Sequence, residues 1–488
     1  MRLSTLASLD ELLGTIDMLC IPASKEMLDL LHTEVLSLLV PAETLPPVSE
    51  LLANKKNNTL LFYGQYKGKR IRVLVSCECE KLKESNIYTI CKKLAIRAKN
   101  ENPARTGLMA NHLSSTEIVQ SAFAGWTAGQ YDLGLYKNGE EENGRKSTAS
   151  VYSFIPHGFT QFAENGIIIG LVQHEVMTLV NVPASHKSPA ALGRWAENSA
   201  ADYNYKVNVI DKDQLLKLGM HALLAVNRGS EYEAHCVVTH YQHPEATKKI
   251  VLIGKGVIFD TGGVSIKTSK NMHYMKSDMA GAAAALGTVE ACARLGLKVN
   301  VMAIAPLTDN SIDNTSIKPG DVISSYLGKS IEVIDTDAEG RLILADALAY
   351  AVKEYKPDVM VDIATLTGSI VASLGPQAAG LFTNNDSLAA ELAAAGDISG
   401  ERVWRMPMYD EYQDDMQSDI ADIKNLSEKP YAGAATAAKF LEYFTSDHKA
   451  WAHLDIAGMA FQANGFGKSY CATAYGVRLL VKWISGLN

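Results

Sequence analysis

The stretch Asp335 to Leu348, DTDAEGRLILADAL, decides how the rest of the chain is read. Ahead of it, Ser330 to Ile334 (SIEVI) alternates and is rich in β-branched residues, the pattern of a strand. Behind it, Leu342, Leu344, Ala345 and Leu348 recur at helical spacing, and the helical pattern runs over 340–355. Asp337 and Glu339 therefore fall in the turn between a strand's C-terminal end and a helix's N-terminus. Open α/β sheets bind ligands at that edge, and the helix end adds free N–H groups that favour anions. Two acids followed by Arg341 in such a turn fit a metal site beside an anion site. For an isolated D-x-E, acids capping a helix in a solvated turn would be the better explanation.

A second stretch points to the same edge. Ile250 to Ile253 (IVLI) is a short apolar strand that enters Gly254 to Asp278, GKGVIFDTGGVSIKTSKNMHYMKSD, read as a glycine-rich turn. Lys255 and Asp260 then share an edge with Asp337 and Glu339 if the two strands are parallel. Gly262 and Gly263 supply a turn that other residues resist, or let backbone approach a ligand. The phosphate-loop spacing G-x-x-x-x-G-K-[ST] occurs nowhere in the chain. Asp278 precedes an alanine-rich helical segment, 279–295, and capping that helix would by itself explain it.

The remaining pattern sets the fold class. Val299 to Ala305 and Val359 to Ile363 are further buried strands alternating with helices, as a doubly wound sheet requires. We expect an α/β protein with a C-terminal doubly wound mixed sheet flanked by helices over 166–488, preceded by a smaller α/β domain over 1–165. In the smaller domain Thr59 to Tyr63 and Ile71 to Ser76, separated by GQYKGKR, read as a hairpin, and Asn86 to Lys99 as a helix. Lys137 to Ser150 reads as an exposed loop. Gly166 to Val182 fits a strand or a helix, its later part a connecting helix ending near Ala184, beyond Pro183. Nothing in the first domain groups acids or histidines into a site, so its expected role is packing or assembly.

Composition narrows the function. With 47% hydrophobic and 20% charged residues over 488, the chain is that of an ordinary globular protein. Its net charge of −8 has no basic stripe, which argues against nucleic acid as a partner. No stretch approaches the ~20 apolar residues of a membrane span, and acids interrupt any signal-like N-terminal run. The seven cysteines are scattered, without a zinc-type pair, so a cytoplasmic location is expected. His174-Glu175 opens an H-E-x-x-H that Thr178 breaks, and none of the 12 histidines forms an i, i+4 pair. His174, His235, His240 and His453 are read as structural, leaving a metal to carboxylates or something less usual.

GKGVIFDTGGVSIK, MKSDMAGAAA, DTDAEGRLILADAL, ATLTGS, WRMP and AHLDIAG, in that order and spacing, resemble the leucyl (cytosol) aminopeptidase family. That family comprises dinuclear metallopeptidases that usually assemble as hexamers. The resemblance runs from about residue 166 to the end. It implies that Lys255, Asp260, Asp278 and Glu339 hold one divalent metal and Asp260, Asp337 and Glu339 the other, drawn from zinc, manganese, magnesium or cobalt. Four converging carboxylates support this independently, since two like charges ~4 Å apart repel by about 4 kcal/mol at an effective dielectric near 20.

The resemblance further implies that Lys267 polarises the peptide carbonyl and that Arg341 holds a bicarbonate acting as proton acceptor. Taken singly, Lys267 reads as a surface lysine and Arg341 as one half of a helix-turn ion pair. Met275, Thr365, Gly368 and Ala457 fall at positions lining a side-chain pocket suited to leucine-like residues, although each also fits an ordinary core. Asp335 stands where the family usually has Asn, and the extra acid is expected to strengthen metal binding or shift the metal preference. The implied partners are peptides with a free N-terminus and further copies of the chain. Another two-metal hydrolase such as a phosphatase, or a non-catalytic scaffold, are the rival readings. The presence of every side chain the chemistry needs weighs against the scaffold.

Overall fold

Alternating apolar strands and helices build two large sheets, beside two smaller ones, in the structure, a computed structural model that describes residues 1–27, 31–39, 59–137 and 150–487. The chain divides into two units, Met1–His174 and Glu175–Asn488. The first holds a six-stranded sheet in the order Arg2–Thr5, Ser150–Phe154, Thr106–Met109, Met18–Ala23, Lys69–Cys77, Thr59–Tyr66. All neighbours are parallel except the last two, which form the expected hairpin. Its strands run into the stretch read as a turn, because the reversal needs only Lys67 and Gly68, at φ of 47° and 82°. Two successive positive φ angles match the right-handed twist of paired strands. The helix expected over 86–99 spans Glu84–Asn100 and buries Ile87, Ile90, Cys91, Leu94 and Ala98 along one stripe. Residues 138–149 of the expected loop lie outside the described residues.

The second unit is built on a nine-stranded mixed sheet. Its order is Val403–Arg405, Ala379–Thr383, Trp451–Asp455, Val359–Ala364, Lys249–Gly254, Asn300–Asn310, His235–Gln242, Lys206–Ile210, with Gly256–Asp260 also paired to Asn300–Asn310. The four central strands from Trp451 to Asn300 in this order are parallel, and antiparallel pairs flank them. Helices cover both faces, as expected of a doubly wound sheet. The pleat of the central strand shows how. Val251 and Ile253 pack in one cluster with Leu342, Ile343 and Leu348 of the helix Glu339–Tyr350. Ile250 and Leu252 alternate to the opposite side, where a side chain on Gly254 would collide with Ala282 of the helix Ala280–Arg294. Each of these strand residues is at most 2% exposed, so each contributes on the order of 1.5–3 kcal/mol of apolar burial.

Three expectations shift in detail. The glycine-rich turn begins later than read, because Val257 and Ile258 are buried and pair Gly256–Asp260 with Asn300–Asn310, so the turn starts at Thr261. The strand within SIEVI is Ser330–Glu332, and it belongs to a separate three-stranded sheet with Val322–Ser324 and Ile423–Lys424. Asp337 and Glu339 thus reach the main sheet from a helix N-terminus rather than from one of its strands. The ambiguous segment 166–182 is helical as far as Asn181, within Thr160–Asn181, and the helix stops before Pro183, whose ring would break the next turn. Among the described residues no helix is long and apolar enough to cross a membrane.

Candidate metal centre

Lys255 sits at the break between the strands Lys249–Gly254 and Gly256–Asp260. Its backbone is held on both sides: its N–H donates to the Ile363 carbonyl at 3.1 Å, and its carbonyl accepts from Ala282 at 2.8 Å. The side chain lies against Gly340, where any Cβ would strike its Cδ, Cε and Nζ. Glycine at 340 therefore makes room for the amine at the start of the helix Glu339–Tyr350. Nζ lies 2.8 Å from Asp278 Oδ2 and 2.9 Å from Glu339 Oε1, and donates to the Thr365 carbonyl at 2.9 Å.

Asp260 closes its strand and turns back into the same space. Its Oδ1 accepts from the Gly262 N–H and from Asn310 Nδ2, both at 2.9 Å, and its Oδ2 lies 2.7 Å from Lys267 Nζ. The loop between them is closed by the Lys267 N–H donating to the Thr261 carbonyl at 2.9 Å. Gly262 has φ of 89°, a conformation that side chains resist, and a Cβ there would also run into the Ser265 carbonyl. Lys267 is thereby aimed at Asp260 and forms a second ion pair with Asp337.

Two buried asparagines hold the acid-bearing turn. Asn310 Nδ2 also donates to the Thr336 carbonyl at 3.0 Å. Asn425, 0% exposed, accepts the Ile334 N–H at 2.7 Å and donates to the Asp335 carbonyl at 2.7 Å. Asp335 Oδ1 accepts the Asp337 N–H at 2.8 Å, an Asx turn that an Asn side chain would form equally well. The result is that carboxylate oxygens of Asp260, Asp337 and Glu339 lie within 4.8 Å of one another.

Asp278 does not cap the following helix, whose N-cap is Met279. Its carboxylate instead faces Lys255 and accepts the Thr365 hydroxyl at 2.7 Å. A charged partner attracts it more strongly than the neutral N–H groups of the helix's first turn would.

Charge is unbalanced in this cluster. Asp260, Asp278, Asp337 and Glu339 face two ammonium groups, Lys255 and Lys267. Burial and the Asp260 charge push the Asp337 carboxyl up to about 7, against the pull of Lys267. The same two causes raise Glu339. Burial raises Asp278 well above the carboxylate range despite the adjacent Lys255. Burial acts to lower Lys255, but Asp278, Glu339 and Asp260 outweigh it and raise its proton affinity; Lys267 shows the same balance. Asp278 Oδ2 and Glu339 Oε1 are buried, near the amine but off its hydrogen-bond directions. Convergent oxygens with spare lone pairs, an excess of negative charge and an amine among them are donors that fit divalent cations.

The other sequence-predicted residues are placed as follows. Arg341, 4% exposed, donates from Nη1 to the Asn425 carbonyl at 2.8 Å, and its Nε has no partner among the described residues. Burial lowers its pKa to about 10, against the pull of Glu339, Asp455 and Asp335. Thr365 touches both Lys255 and Asp278. Half-buried Met275 accepts the Asp278 N–H through its carbonyl at 3.1 Å. Gly368 opens the helix Gly368–Leu374, and Ala457 packs on the small apolar cluster of Ile370, Phe382 and Ala438. The histidines bond elsewhere: His174 to the Thr127 carbonyl, His235 to that of Glu233, His240 to Asn300, His453 to Asp362. Asn310 and Asn425 carry no signal in the sequence, where each is one polar residue at a strand end or in a loop, with no local pattern to mark it.

Residues 175–481 match the cytosol aminopeptidase family, catalytic domain. A probable cytosol aminopeptidase of Chlorobaculum tepidum is 49% identical over 325 residues, 66% of this chain and 64% of that protein, so the match spans just under two thirds of that relative's length. One from Chlorobium luteolum is 43% identical over 383 residues, 75% of each. Among solved structures, the bottromycin maturation enzyme BotP in complex with Mn is 27% identical with a TM-score of 0.82, covering 96% of this chain and 99% of that one. With its catalytic-domain match extending over more than half of its length, the chain belongs to the cytosol aminopeptidase family.

Proposed function

We propose that the protein is a metal-dependent aminopeptidase that removes the N-terminal residue of peptides, with a preference for leucine-like side chains. The observation that carries this is the meeting of Asp260, Asp337 and Glu339 oxygens within 4.8 Å, beside Lys255 and Asp278. In this reading Lys255, Asp260, Asp278 and Glu339 hold one divalent ion, and Asp260, Asp337 and Glu339 the other. Such ions, zinc or manganese in first place and magnesium or cobalt as alternatives, supply a water that is nucleophilic near neutral pH and a Lewis acid for the carbonyl. Lys255 serves as a ligand in its neutral form, because a cation competes with the proton for its lone pair.

The protein's own groups do the rest. Asp278 takes the free α-amine of the peptide, which confines cleavage to the first residue. Lys267, at the open side of the cluster, donates to the carbonyl oxygen as negative charge develops there. Arg341, with an unpartnered Nε, holds a bicarbonate. Met275, Thr365, Gly368 and Ala457 line the pocket for the departing residue's side chain. Residues 166–488 carry this chemistry, and residues 1–165 serve assembly, into a hexamer, in the cytoplasm.

The test is release of leucine from a leucyl amide. Turnover restored to chelated protein by zinc or manganese, with none on the N-acetylated amide, is the expected result. Hydrolysis of phosphate esters without any need for an amine would overturn it.

A further inference from the structure

The strands Val359–Ala364 and Trp451–Asp455 run side by side in parallel, with Ala364 opposite Asp455. Two loops therefore leave the sheet together, one carrying Thr365 to Gly368 and the other Ala457. Asp455 stands at their root and is 1% exposed. Its Oδ1 accepts the Leu366 N–H at 3.1 Å from the first loop and the Ala457 N–H at 3.2 Å from the second. Its Oδ2 accepts the Thr367 hydroxyl at 2.7 Å, and that oxygen in turn accepts the Ile370 N–H at 3.1 Å, capping the helix Gly368–Leu374. One carboxylate thus joins two segments that share no sequence neighbourhood.

A buried carboxylate is costly to desolvate, and an apolar residue would fill the space more cheaply. What it gains here is geometry. The loop it holds bears Thr365, whose hydroxyl reaches Asp278 and whose carbonyl reaches Lys255. Of the four residues assigned to the side-chain pocket, Ala457 bonds to Asp455 directly, while Thr365 and Gly368 flank Leu366 and Thr367, the two residues of the other loop that do. We propose that Asp455 is a positioning residue for specificity, fixing the width of the pocket that receives the N-terminal side chain. This rests on the aminopeptidase reading above.

Asp455→Asn keeps an acceptor toward the two N–H groups but turns an amide donor on the Thr367 hydroxyl, reversing that bond. The experiment compares leucyl and glycyl amides, since glycine has no side chain to seat. The leucyl-to-glycyl ratio of kcat/KM is expected to fall at least about fivefold in Asp455→Asn, with most of the loss in KM for the leucyl amide. Bound metal should match wild type, and amide exchange should quicken over 364–370 and 455–460. Asp346→Asn is the control: Asp346, on the helix Glu339–Tyr350, is equally buried and accepts backbone N–H groups of Leu223 at 3.0 Å and Tyr326 at 2.7 Å, which lie in neither pocket loop. Should Asp455→Asn fail to fold, Thr367→Val, which removes one of the bonds, must shift the ratio in the same direction.

An unchanged ratio in the folded variant overturns the proposal. So does an equal shift in Asp346→Asn, or a loss of metal that accounts for the loss of turnover. Wild type that cleaves neither amide sinks the aminopeptidase reading itself, and with it this role.

Discussion

Asn310 Nδ2 donates to Asp260 Oδ1 at 2.9 Å and to the Thr336 carbonyl at 3.0 Å, so one side chain joins a carboxylate on a main-sheet strand to the turn that carries Asp337. The two halves of the carboxylate cluster come from segments about 75 residues apart, and this amide sets their spacing. Asn310→Ala is expected to weaken metal retention by about 10–100-fold while costing only about 1–2 kcal/mol of stability. Metal content after dialysis, read beside a thermal melt, checks both. Full retention of metal would show that Asp260 and Asp337 need no such brace.

Glu339 lies 2.9 Å from Lys255 and within the 4.8 Å carboxylate cluster. Glu339→Gln removes one of four negative charges while keeping the volume. We expect it to abolish retention of at least one divalent ion per chain and to reduce turnover to background. A variant that still binds two ions by elemental analysis would remove Glu339 from the ligand set.

Lys267 holds no metal in the proposed mechanism, so its loss should separate from that of the ligands. Lys267→Ala is expected to lower kcat by about 10²–10³-fold, with little change in KM, as removal of one oxyanion donor does. Metal affinity should hold or rise, because an ammonium that pairs with Asp260 and Asp337 is gone. Parallel loss of metal and of rate would contradict this assignment.

Metal-free protein should respond to pH through Asp337, whose folded pKa is raised to about 7 from an ordinary 3.8. The folded state then binds the proton more tightly than the unfolded one. Its contribution is fully present below about pH 4 and is lost as pH rises through about 7. Melts of chelated protein are expected to show this loss across pH 4–7, reduced in Asp337→Asn. Adding a divalent ion should reverse the trend, because ligation favours the ionised carboxylate.

Asp335 forms the Asx turn that an amide would also form, so Asp335→Asn should leave the fold and the melting temperature nearly unchanged. Its extra charge is expected to act on the ions instead, and the substitution should weaken metal binding by several-fold, about 1 kcal/mol. Identical metal titrations of the two proteins would rule that effect out.

Short-range order is legible in the sequence. The reversal between 59 and 77, the helix starting near 84, the strands at 249, 300 and 359, and the helix opening at Glu339 all follow from side-chain periodicity and turn chemistry within a few neighbours. The resemblance carried by three motifs, GKGVIFDTGGVSIK, MKSDMAGAAA and DTDAEGRLILADAL, singles out Lys255, Asp260, Asp278, Asp337 and Glu339 together, and the structure brings all five side chains close to one another. Only tertiary contacts decided that Ser330–Glu332 joins a small separate sheet, that Asp278 turns to Lys255 instead of capping its helix, and that Gly340 makes room for the lysine. The roles of Asn310, Asn425 and Asp455 belong to the same class. Each bonds backbone or side chains roughly 26 to 91 residues away, and periodicity along a chain carries no information about which distant group a buried polar side chain will meet.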